Sequence, residues 1–256
     1  MERIERALIM AAGLGQRMRP VTLKTPKPLV TVNGERFIDN QMAALHAAGI
    51  YDVVMVVGYL AEQFRELENQ YPGLKLVLNP DYDKGGNITS MYYARHYLDR
   101  PVVIMDGDIL IRNPKVLIPE VSRSHYCCTW EESDPREWYF IPDEDWVITK
   151  VIPKEGPGWQ LRGINFWTAA DAKRLRRHLE TAYEKEGLRD AFWDELPLIN
   201  YWGEYKIGIR PLDREDIHEI DTFQDLCRED PSYISFERKG SMQNGTYGSA
   251  DSSGHQ

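Results

Sequence analysis

Cysteine is scarce in this 256-residue chain: there are three, and Cys127 and Cys128 are adjacent. With no Cys-x-x-Cys pair, a cysteine zinc site is excluded, and an odd count argues against a disulfide-stapled fold, so a reducing, cytoplasmic setting is expected. Histidine is also sparse, at six, and no Ser-His-Asp or Cys-His arrangement appears. Covalent nucleophilic catalysis is therefore unsupported. No segment approaches the ~20 apolar residues of a membrane span. The start, Met1-Glu2-Arg3-Ile4-Glu5-Arg6, is not a leader, so an unanchored, soluble protein with no membrane partner is expected. Positive charge is in deficit, with 31 basic against 40 acidic residues and a net charge of −9. No basic stripe offsets this, which argues against general nucleic-acid binding.

The basic residues that are present concentrate in one place. Ala11-Ala12-Gly13-Leu14-Gly15-Gln16-Arg17-Met18-Arg19-Pro20 follows an apolar run and precedes Lys24-Thr25-Pro26-Lys27-Pro28-Leu29. Glycines let a backbone approach a polyanion, and guanidinium groups fork onto phosphate oxygens. Two familiar phosphate loops are excluded. The dinucleotide fingerprint requires glycine where Met18 stands and an immediate helix that Pro20 and Pro26 oppose. The Walker loop requires a terminal Gly-Lys-Ser/Thr, which is missing. A strand-to-helix turn carrying solvated basic residues is the plainer alternative.

Apolar runs at 7–10, 53–57, 74–78 and 102–105 read as strands buried on both faces, with helices at 37–48, 60–70 and 90–98 between them. This order predicts an α/β fold with a doubly wound, mostly parallel central sheet. Its ligand site would lie beyond the carboxyl ends of the strands, where the loops at 11–28, 79–90 and 106–113 converge. The second half alternates at 127–131, 138–141 and 147–153, which predicts a small antiparallel β extension. Helices are expected at 169–186 and 191–199, and a late strand at 205–211. We read 1–237 as one domain, nucleotide-binding over about 6–115 and second-substrate-binding over about 116–237. Residues 238–256 lack apolar periodicity and are expected to form a disordered tail.

Asp106-Gly107-Asp108 follows the fourth strand. Magnesium needs few protein carboxylates beside phosphate and water oxygens, so one aspartate here and one elsewhere would suffice. A solvated turn is the common alternative. Asp221 is a second candidate ligand, although it precedes an amphipathic segment and a helix N-cap would explain it equally well. Aromatic and acidic residues couple at Glu131-Glu132, Glu137-Trp138-Tyr139, Asn165-Phe166-Trp167 and Phe192-Trp193-Asp194-Glu195. Aromatic walls with a nearby carboxylate hold quaternary ammonium groups, whereas ordinary core packing accounts for single tryptophans.

These residues resemble the sugar-phosphate nucleotidyltransferases, and within them the bacterial choline-phosphate cytidylyltransferases. The wider resemblance, with a Rossmann-like nucleotidyltransferase fold, rests on the 11–20 loop, on Thr25-Pro26-Lys27-Pro28-Leu29 and on Asp106-Gly107-Asp108. The closer one adds 57–64, Glu137-Trp138-Tyr139-Phe140, Gly163-Ile164-Asn165-Phe166-Trp167, Phe192-Trp193-Asp194 and Glu219-Ile220-Asp221. The resemblance implies that Ala11, Ala12, Gly13 and Gly15 cradle a triphosphate, with Asp106 also on the nucleotide side. Arg17 would bind its outer phosphates, and Lys27 would lie between the reacting groups. Asp108 and Asp221 would hold Mg²⁺, and Asn87 and Ser90 would read the pyrimidine. Trp138, Trp193, Asp194, Glu219 and Trp167 would receive the second substrate. Gly85-Gly86 is more glycine-rich than the family pattern. The implied reaction joins CTP to phosphocholine, giving CDP-choline and pyrophosphate. The rivals are 2-aminoethylphosphonate, phosphoethanolamine or a sugar 1-phosphate as acceptor, and a non-enzymatic nucleotide sensor.

Overall fold

A computed structural model of the protein describes residues 1–133, 138–153 and 156–236. Glu137 and the tail at 238–256 fall outside these residues. The first three strands are β1 (Arg6–Ala11), β2 (Asp52–Val57) and β3 (Leu74–Leu78). Together with β4 (Val102–Asp106), they lie parallel in the order β4-β1-β2-β3. Successive residues point to opposite faces. Ile9 and Met55 therefore pack with Ile38, Met42 and Leu45 of helix α1 (Phe37–Ala47). Leu8, Val54 and Val56 pack on the other side with Ile88 and Met91 of α3 (Ile88–Ala94) and Leu175 and Leu179 of α4 (Ala169–Glu184). Helix α2 is the single turn Leu67–Gln70, and α5 covers Phe223–Glu229.

The second half adds five strands to the same sheet, bringing it to nine, and two short strands that pair only with each other. After the short β5 (Ile109–Ile111) come β6 (His125–Glu131), β7 (Trp138–Pro142) and β8 (Ile148–Pro153). They are followed by β9 (Gly158–Trp167), β10 (Gly208–Pro211) and β11 (Ile217–Glu219). β9 joins the halves: its C-terminal residues pair antiparallel with β4, and its whole length pairs with β6.

Three expected elements differ. The helix at 60–70 is a 3-10 turn, Ala61–Phe64, followed by α2, with Leu60 in the left-handed region starting the turn. The helix at 191–199 reduces to a wide turn, Leu196–Asn200. Pro197 supplies no N–H there, and the Tyr201 N–H reaches back to the Leu196 carbonyl at 2.8 Å. At the sheet edge, β3 is half-exposed, Leu78 included, so burial on both faces holds for only three of the four apolar runs. Among the described residues, no helix is long and apolar enough to cross a membrane.

Candidate active site

β1 is flanked by β2 on one side and β4 on the other, so the chain reverses its winding there and leaves a crevice at the carboxyl ends. Two loops meet in that crevice. The Gly107 N–H donates to the Met10 carbonyl at 2.9 Å, and a Cβ on Gly107 would stand 2.9 Å from the same oxygen and 3.2 Å from Pro28 Cγ. The glycine of Asp-Gly-Asp is thus required for the contact that brings the aspartates to the first loop. Buried Gln41 secures the turn from below, donating from Nε2 to the carbonyls of Asp106 and Ile109.

The first loop is a chain of 3-10 turns, Gln16–Met18, Val21–Leu23 and Lys27–Leu29. Gly15 opens it in the left-handed region, and Thr22 Oγ1 donates to its carbonyl at 2.7 Å. Ala11 and Ala12 are buried beneath, whereas nothing stands within 4 Å of a Cβ placed on Gly13. Gly13 therefore lines open space, as a phosphate cradle requires.

Lys27 is buried, and its Nζ donates to Asp108 Oδ2 at 2.7 Å and to Asp221 Oδ1 at 3.4 Å. Exposed Arg17 reaches the same Asp221 oxygen at 3.1 Å. A sequence separation of more than a hundred residues is closed by the β5–β11 ladder, in which Glu219 pairs with Ile109. Asp221 does not cap α5. Thr222 does, through a capping box with Asp225, which leaves the Asp221 carboxylate directed at Lys27 and Arg17. Asp106 is held well above the usual carboxylate range, first by burial and then by the charges of Asp108, Glu219 and Asp194, with Lys27 offsetting part of this. Among the described residues, no group of three or more His, Cys, Asp or Glu side chains is spaced to hold a metal ion. The candidate metal pair is Asp108 and Asp221.

The remaining candidates separate into two groups. Asn87, exposed at the N-terminus of α3, accepts the Trp193 backbone N–H through Oδ1 at 2.8 Å. Ser90 is buried, and its hydroxyl accepts from buried Asn79 at 2.9 Å. The Gly85-Gly86 pair lies flat against the backbone at 189–191, the Gly86 N–H donating to the Arg189 carbonyl at 2.9 Å. The base-side segment and the Trp193-Asp194 segment are therefore fastened together. Trp138, Asp194 and Glu219 are half-buried and Trp193 is nearly covered. Trp167 is fully buried in the core, meeting Trp193 edge-on at 6.0 Å with Tyr126 and Tyr205 around it. It supports the region without lining it. Sequence reading overlooked Asn79, Gln41 and Arg162, which carry no motif of their own; only their polarity within apolar stretches hints at a role.

Residues 7–193 match the model of the MobA-like NTP transferase domain. The chain belongs to this family. As an NTP transferase of the cytidylyltransferase group, it is 36% identical over 229 residues to the 2-aminoethylphosphonate cytidylyltransferase of Lancefieldella rimae, covering 89% of this chain and 93% of that one. It is 34% identical to the choline-phosphate cytidylyltransferase of Streptococcus pneumoniae, covering 86% and 94%. The solved structure of the CTP:phosphocholine cytidylyltransferase from Streptococcus pneumoniae superposes with a TM-score of 0.81 at 32% identity, over 93% of this chain and 99% of that one. The candidate residues Asp194, Glu219 and Asp221 lie beyond the family match.

Proposed function

We propose that the protein transfers the cytidylyl group of CTP to phosphocholine, releasing pyrophosphate. The observation that carries this reading is the excess of carboxylates at the crevice floor. Beyond the Asp108–Asp221 pair that Lys27 bridges, Asp194 and Glu219 stand close enough to raise the pKa of Asp106. A sugar phosphate has no use for such negative charge, whereas an ammonium-bearing acceptor does. Half-buried Trp138 and the nearly covered Trp193, adjacent to Asp194 in sequence, are the aromatic candidates for that ammonium.

In this reading a phosphate oxygen of the acceptor attacks the α-phosphorus in line, and pyrophosphate leaves on the opposite side. Arg17 takes the outer phosphates and Lys27 the developing charge between the reacting groups, so positioning and electrostatics provide most of the catalysis. Asp108 and Asp221 would hold Mg²⁺; their hard oxygens already surround one cation, the Lys27 ammonium. When bound, the ion would neutralise phosphate charge. The Gly13–Gly15 turn offers backbone N–H groups, and Asn87 presents the base-side edge.

A second reading takes 2-aminoethylphosphonate as the acceptor. It is favoured by the burial of Trp167 in the core, which leaves less aromatic wall and a larger share for carboxylates. The deciding experiment is a pyrophosphate-release screen of CTP, UTP, ATP and dTTP against phosphocholine, phosphoethanolamine, 2-aminoethylphosphonate and sugar 1-phosphates. Release with CTP and phosphocholine is expected. Preference for a sugar 1-phosphate refutes the ammonium reading, and silence with every pair supports a nucleotide sensor.

A further inference from the structure

Arg162 was passed over by motif reading, yet it occupies a central place. It stands on β9 immediately before Gly163, and a Cβ on Gly163 would lie 2.9 Å from Asp106 Oδ2, so this part of the strand forms the wall behind the aspartates. The side chain is mostly buried; two of its three guanidinium nitrogens donate hydrogen bonds, and the third makes a longer ion pair. Nε donates to Thr129 Oγ1 at 2.6 Å, one terminal nitrogen donates to Glu131, and the other stands 3.6 Å from Glu219 Oε2. Glu131 is held from its other oxygen by Arg214 at 2.6 Å. Glu131 was one of the acids that sequence patterning placed near an aromatic cage; two arginines now occupy it. The clamp spans β6, β9 and β11 and ends on Glu219, the β11 partner of Ile109 beside Asp108.

We infer that Arg162 determines acceptor specificity, biasing the site toward a quaternary ammonium and against a primary one. The inference rests on Glu219 facing the acceptor, as proposed above. At 3.6 Å the guanidinium is beyond hydrogen-bond reach of Glu219 but stands beside its Oε2, so it places a positive charge where an incoming cation would approach that oxygen. A primary ammonium has to come within hydrogen-bond distance of the carboxylate to pair its three N–H donors, and there it meets the guanidinium charge most strongly. A trimethylammonium carries none, and the diffuse field of an engaged carboxylate beside aromatic faces serves it fully. By holding Glu219, Arg162 acts against the competitor more than for the preferred acceptor, which is how specificity differs from affinity.

The test is steady-state pyrophosphate release by the full chain with CTP and three acceptors: phosphocholine, phosphoethanolamine and 2-aminoethylphosphonate. In Arg162→Gln, the kcat/KM ratio of the primary-ammonium acceptors to phosphocholine rises about tenfold, the equivalent of one charge-assisted hydrogen bond. The KM for CTP is unchanged. Adding Glu219→Gln to this variant removes the gain. Should Arg162→Gln fail to fold, Arg162→Lys carries the test. Its single ammonium cannot span Thr129, Glu131 and Glu219 together, and it shifts the ratio in the same direction by roughly threefold on the same scale. A ratio that stays flat while all three acceptors weaken together makes Arg162 merely structural and overturns the inference alone. A wild type that uses only primary-ammonium acceptors also overturns it. A wild type silent with every ammonium acceptor overturns the acceptor reading and this inference with it.

Discussion

Replacing Gly86 by alanine tests whether the base-side and acceptor-side segments work as one piece. A Cβ at this position would stand 2.0 Å from the Ala191 carbonyl oxygen and 2.5 Å from that of Asp190. Both are backbone atoms, so no rotamer change relieves the clash. The 189–191 strip has to retreat, and the bonds from Gly86 N–H to Arg189 and from Ile88 N–H to Ala191 lengthen with it. Overpacking of this kind costs about 1–3 kcal/mol, roughly 2–10 °C in melting temperature for a chain of this size. Trp193 and Asp194 follow directly in sequence, and Trp193 is tied back to Asn87. A displacement of about 1 Å there costs on the order of 10²-fold in kcat/KM for the acceptor where catalysis depends on positioning. The KM for CTP rises too, because Asn87 on the base side follows Gly86 directly, while the first loop keeps its hold on the phosphates. Thermal melting and pyrophosphate release with varied acceptor and varied CTP measure both effects. Acceptor kinetics within threefold of wild type in a variant that melts lower would refute the claim that this strip sets the acceptor site.

Asp108→Asn removes the carboxylate nearest Lys27 and should lower turnover on the order of 10²-fold or more. A near-normal rate of pyrophosphate release would dismiss it as a metal or catalytic group. Burial lowers the pKa of His125 to about 4, its Nδ1 lying 3.0 Å from the Arg123 carbonyl and its ring stacked on Phe166. The unfolded chain therefore takes up this proton first as the pH falls. The stability contributed by the neutral ring is complete above about pH 6.5 and is lost on approaching pH 4, by up to about 3 kcal/mol. Urea unfolding across that window should be steeper in pH for wild type than for His125→Phe, and identical profiles would contradict the assignment. Burial pushes the Cys127 thiol up to about 12 and raises that of Cys128 as well. Neither should react with iodoacetamide in the native protein, as mass spectrometry of labelled peptides would show, and labelling before unfolding would disprove their burial.

The parallel half was legible because three of its strands are buried on both faces and leave continuous apolar runs. β9 was not legible at any point along its length: the expected strand at 147–153 is followed directly by the expected helix at 169–186. Its Gly156-Pro157-Gly158 entry carries turn residues, and only pairing with β6 and β4 makes Gly158–Trp167 a ten-residue strand. The same limit applied to side chains. Trp138, Trp167 and Trp193 all stood beside acidic or polar residues in sequence, and packing buried Trp167 and Trp193 in the core and left Trp138 half-buried. Asp221 read equally well as a cap or as a ligand until Thr222 took the cap.

The sequence by itself determined the parallel α/β sheet, the glycine-rich loop with its basic residues, and membership of the nucleotidyltransferases, because hydrophobic runs and glycine spacing are local properties of the chain. Tertiary structure alone decided which charges meet. Lys27, Asp108 and Asp221 converge through the β5–β11 ladder, and Arg162 reaches Glu219 across three strands. Electrostatic interactions depend on distance in space, and no one-dimensional pattern contains those distances.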